Sequence, residues 1–140
     1  TALLDAVGGA IDHINHVHDL LGVKDTPSKT LFVITTDGHE NSSKRFKKEM
    51  LEHLIKQKQE DDWEFIFLGA NIDSYDQARS YGIREDRISN YIHDGEGVKN
   101  MYDSLNEAVQ DLRTSKMMKE TWKRKVESDY NIRKKRYGGE

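Results

Sequence analysis

Leu31-Phe32-Val33-Ile34-Thr35-Thr36-Asp37-Gly38 is the stretch that decides the fold. Four apolar residues run without a break, with Asp25-Thr26-Pro27-Ser28 before them and a polar turn behind them. A short run that is apolar at every position reads as a strand covered on both faces, as in a parallel sheet. A second run of the same kind, Trp63-Glu64-Phe65-Ile66-Phe67-Leu68, stops at Gly69-Ala70-Asn71. A weaker third strand spans Arg87 to Ile92.

Between the strands the apolar spacing changes from continuous to three and four residues, the signature of a helix with one buried face. Residues 2–21 carry Leu3, Leu4, Val7, Ala10, Ile11, Ile14, Val17, Leu20 and Leu21 in that pattern, and Gly22 follows as a C-terminal cap. Gly8 and Gly9 lower helix propensity, which implies close packing against a neighbour. Helical spacing returns over 43–59 through Phe46, Met50, Leu51, Leu54 and Ile55, over 74–81 before Gly82, and over 96–112. Gly95-Glu96-Gly97 reads as a turn. The order α-β-α-β-α-β-α predicts an α/β, Rossmann-like parallel sheet with flanking helices. In such sheets ligands bind at the carboxyl ends of the strands. Thr35-Thr36-Asp37-Gly38 and Gly69-Ala70-Asn71 are the segments placed there.

Composition narrows the function classes. The 140 residues contain no Cys, which excludes disulfides, thiolate metal sites and cysteine nucleophiles and suits a cytoplasmic setting. No apolar run is long enough to span a bilayer, and no membrane partner is expected. Charge divides the chain. Residues 1–112 hold 12 Lys+Arg against 21 Asp+Glu, a net of −9, and residues 113–140 hold 10 against 4, a net of +6. An α/β domain over 1–112 followed by a basic, helical C-terminal tail over 113–140 is the expected organisation. In the tail Met118, Trp122, Val126 and Tyr130 recur every four residues, alongside Lys123-Arg124-Lys125 and Arg133-Lys134-Lys135-Arg136. Such a stripe can pack on the acidic body, and such a charge run can contact nucleic acid.

Candidate chemistry centres on Asp37. A carboxylate directly after a buried strand can serve as a hard oxygen ligand for Mg²⁺, Mn²⁺ or Ca²⁺, and Asp-Gly is equally a common turn. Thr1, before the first helix, can ligate through its hydroxyl or act as an N-cap. Thr36, Gly38, Asn71 and Asp73 lie at the same strand ends and extend the candidate site. His13, His16 and His18 share one helix without further ligands, which is a surface pattern rather than a zinc site. No phosphate-binding Gly-rich loop is present.

Taken together, Thr1-Ala2-Leu3-Leu4-Asp5-Ala6 opening a helix, the strand running into Thr35-Thr36-Asp37-Gly38 with Glu40-Asn41-Ser42-Ser43 behind it, and Trp63 to Asn71 resemble the von Willebrand factor A domain. The small bacterial and phage-type members are the most similar, over about residues 1–112. The resemblance implies a metal-ion-dependent adhesion site in which Thr1 matches the family's Thr and Asp37 its Asp. The family's Asp-x-Ser-x-Ser segment is not in this sequence. The expectation is therefore a fold truncated to about three strands, holding Mg²⁺ weakly or not at all. The implied function is non-enzymatic protein binding, with a cation coordinating an acidic group of the partner. An unpaired sheet edge at Leu31–Ile34 would further favour a homo-oligomer or strand donation. Two alternatives are a Mg-dependent phosphotransfer or hydrolytic domain using Asp37 and Asp73, and nucleic-acid binding through the tail.

Overall fold

The computed structural model describes residues 2–40, 42–115 and 117–134. Three strands, β1 (Thr30–Thr36), β2 (Trp63–Gly69) and β3 (Ile88–Asn90), form one parallel sheet in the order β1-β2-β3. Five α-helices accompany them: α1 (Leu3–Leu21), α2 (Lys48–Glu60), α3 (Ser74–Ser80), α4 (Gly95–Ser115) and α5 (Arg124–Arg133). Short 3-10 turns precede β3 and α5, at Glu85–Arg87 and Glu120–Lys123. The chain is thus an α/β protein whose arrangement is consistent with a Rossmann-like layer.

Side chains alternate along β2 and divide the interior into two cores. Trp63, Phe65 and Phe67 join Leu3, Leu4, Val7 and Ile11 of α1, Leu51 and Ile55 of α2 and Ala78 of α3 on one face. Ile66 and Leu68 join Met101 and Ala108 of α4, together with Met118, Trp122 and Val126, on the other. Three apolar members of the tail stripe are therefore buried core residues. Trp122 also donates its indole N–H to the Asp86 carbonyl at 2.8 Å, and Lys123 Nζ reaches the Ile88 carbonyl at 2.7 Å.

Five local expectations change. The third strand is shorter than 87–92, because the Glu85–Arg87 turn occupies its start. α2 begins at Lys48 rather than 43. Asp5 of α1 accepts the backbone N–H groups of Lys44, Arg45 and Phe46 at 2.8–2.9 Å and holds them in a bend, and the backbone is extended at Lys47 just before the helix. Gly95–Gly97 is helix rather than turn: Asp94 caps it by accepting the Gly97 N–H at 2.7 Å. Of the two helical glycines, Gly8 packs closely, since a Cβ there would lie 2.5 Å from the Phe46 ring, whereas Gly9 has open space. β1 is covered only in part. Leu31, Phe32 and Val33 are half-buried, because β1 is an edge strand.

Candidate functional site

Three segments leave the sheet at its carboxyl end, and they meet. Thr36, which is buried, accepts the Gly38 N–H at 3.3 Å and donates its hydroxyl to the Gly38 carbonyl at 3.0 Å. This closes the turn and leaves Asp37 exposed at its apex, with 56% of its side chain accessible. The last residue of β2 has to be glycine, because a Cβ at Gly69 would fall 2.2 Å from Ser74 Oγ. Asn71 then takes a left-handed φ of 61°, a conformation Asn tolerates better than most residues. After β3 come Tyr91, Ile92 and His93.

These segments enclose a crevice of about 450 Å³. Its walls are His39 from the β1 turn, Asn71, Ile72 and Asp73 from the β2 turn, Tyr91 to His93 from the β3 turn, and Tyr130 and Lys134 from the end of α5. His93 Nδ1 lies 3.3 Å from Asp37 Oδ2. That contact ties Asp37 to the crevice and leaves Nε2 of the imidazole for a ligand. The Tyr91 ring stands edge-on to His93, with centroids 6.1 Å apart. Burial raises the Tyr91 hydroxyl pKa, and the nearby Asp37 charge adds to the rise.

Arg133 positions the tail's contribution. It makes a two-point contact with Asp94, at 2.8 and 3.1 Å, and a further 2.8 Å hydrogen bond to the buried Asp129. Its pKa is pushed up by the hydrogen bonds to Asp129 and then Asp94. Because Asp94 follows the β3 turn, this anchor brings Tyr130 and Lys134 to the crevice. Lys134 Nζ stands 5.6 Å above the Tyr130 ring, a cation–π distance.

Of the residues singled out in the sequence, Asn71 and Asp73 line the crevice directly, and Asp37 borders it through His93. Thr36 and Gly38 shape the turn beneath. Thr1 lies outside the described residues. Asp73 is committed to capping α3, accepting the Asp76 N–H at 3.0 Å, which weakens its case as a catalytic carboxylate. His18 sits edge-on against Trp63, with His13 and His16 on the exposed face of α1. Glu40, behind the β1 turn, accepts from the backbone N–H groups of Leu4 and Ser42 at 3.0 Å and is bound by the Ser43 hydroxyl. It therefore bolts α1 to the turn. Tyr91, His93, Tyr130 and Lys134 are additions to the site. The crevice rule points to 91–93, which follow a strand, but nothing local points to 130 and 134.

A divalent cation fits poorly here. The described donors near Asp37 are one carboxylate already facing an imidazole and one hydroxyl engaged by its own turn. Among the described residues no group of three or more His, Cys, Asp or Glu converges. No described helix is long and apolar enough to cross a membrane. Comparison of the chain with protein-family models, with curated proteins and with solved structures finds no match.

Proposed function

We propose that this chain is a non-enzymatic protein-binding module of the von Willebrand factor A type, which receives an acidic group of a partner in the crevice at the carboxyl end of its sheet. One observation carries the reading. Turns from all three parallel strands converge there, and what they present with the tail suits a carboxylate: Lys134 is a cation, and His93 donates from Nε2 when both of its ring nitrogens carry a proton. Asp37 orients His93 in this scheme and repels a ligand carboxylate from the turn, which steers it toward Lys134. The Mg²⁺, Mn²⁺ or Ca²⁺ of an adhesion site would need donors beyond the described ones, so recognition is assigned to the crevice's own residues. A cytoplasmic setting belongs to the same proposal and rests on the absence of Cys.

The test is calorimetric titration of the chain with a capped peptide carrying one Glu and with its Gln counterpart. The Glu peptide should bind at least tenfold more tightly, and Lys134→Gln or His93→Ala should each remove most of that preference, since a charged hydrogen bond is worth about 1.5–3 kcal/mol. Equal binding of the two peptides, or a preference untouched by both variants, contradicts the proposal.

A further inference from the structure

The two edges of the sheet are finished differently. β3 is three residues long, and Lys123 covers its Ile88 carbonyl. β1 is seven residues long, Thr-Leu-Phe-Val-Ile-Thr-Thr, with no charge, proline or bulge to deter pairing. Thr36 gives its carbonyl to the Ala70 N–H, so the even-numbered residues of β1 face β2. The backbone groups of Leu31, Val33 and Thr35 therefore point outward. Among the described residues none of them receives a hydrogen bond. The half-buried Leu31, Phe32 and Val33 leave apolar surface on both sides of that edge.

We infer that β1 pairs antiparallel with β1 of a second copy of this chain, about a twofold axis at Val33, to make one continuous six-stranded sheet. Charge selects both the occupant and the register. Lys29 and Asp37 lie four residues to either side of Val33, so this register sets Lys29 of each copy opposite Asp37 of the other. It also sets Thr30 opposite Thr36 and Phe32 opposite Ile34. All three outward residues exchange hydrogen bonds in it. A shift of two residues places Asp37 opposite Leu31 or Pro27 and leaves backbone groups unused. Lys29 would give up its 3.8 Å ion pair with the exposed Asp62, and Asp37, 56% exposed in its turn, would meet Lys29 through Oδ1 while Oδ2 stays on His93.

The chain has no Cys, which gives a clean test. Thr30→Cys and Thr36→Cys are made separately. Facing residues 30 and 36 fall within disulfide reach, whereas two copies of residue 30 stand roughly 20 Å apart. On mild oxidation the 1:1 mixture should give a covalent dimer and neither variant alone should. The unmodified chain should weigh as a dimer by light scattering, and Lys29→Asp should raise its dissociation constant about tenfold, by setting like charges opposite at both ends. A monomeric mass overturns the inference, as does cross-linking of either variant with itself, which would mean parallel stacking or random collision. Failure of the mixture to cross-link while the mass stays dimeric assigns the dimer to another surface and overturns it equally.

Discussion

Gly9 and Gly97 are both helical, yet their surroundings are opposite. A Cβ at Gly97 would fall 1.8 Å from the Ile92 carbonyl oxygen, a backbone atom that cannot step aside. At Gly9 it would meet nothing within 4 Å. Gly9→Ala should therefore raise stability by about 0.5–1 kcal/mol through helix propensity alone. Gly97→Ala should cost about 2 kcal/mol by overpacking, although its propensity term has the same sign as at Gly9. Thermal or urea unfolding of the two variants measures the contrast, and equal shifts would contradict it. The sequence marks Gly8 and Gly9 alike as sites of close packing. Only Gly8, beneath Phe46, has that reason, because the partner comes from a segment 38 positions away.

At the level of elements, the bolt between α1 and the approach to α2 is carboxylate chemistry. The Lys44 backbone N–H, then those of Phe46 and Arg45, hold the Asp5 carboxyl below its ordinary range, more than offsetting burial. Burial pushes Glu40 up, but the Ser43 hydroxyl and the N–H groups of Leu4, Ser43 and Ser42 bring it below its ordinary value. A carboxyl lowered by folding stabilises the fold above its unfolded pKa, about 4, and loses that contribution as pH falls through the lower folded value. The melting temperature should drop on acidification from about pH 5 to pH 3, and Asp5→Asn and Glu40→Gln should each flatten the drop. Curves parallel to the unmodified chain would remove the bolt from the account. The same contact explains a boundary that local spacing misplaces. Phe46 and Met50 have helical spacing, but Asp5 gathers the N–H groups of 44–46 into a bend and Lys47 is extended before α2 begins, and no window of neighbouring residues contains Asp5. What was legible was periodicity: the apolar runs of β1 and β2, the faces of α1 and α4, and the four-residue stripe Met118-Trp122-Val126. Which surface that stripe covers was not legible, since it depends on the turn beside β3 that accepts Trp122 Nε1–H.

For the whole molecule, strand order and the crevice rule located Asp37, Asn71 and Asp73 at one end of the sheet. They could not supply the opposite wall. Tyr130 and Lys134 come from the end of the basic tail, brought there by Arg133 on Asp94 and Asp129. The acidic body and basic tail are thus joined by specific ion pairs, and two of the tail's cations, Lys123 and Arg133, are spent inside the fold. The claim that organises the rest is that the crevice at the carboxyl edge is where an acidic partner group is received. Amide chemical-shift mapping of the isotope-labelled chain against the capped Glu peptide tests it most directly. The account predicts saturable shifts confined to the turns at 37–39, 71–73 and 91–93 and to Tyr130 and Lys134, absent with the Gln peptide. Shifts centred on another face, or the same shifts with both peptides, would contradict it.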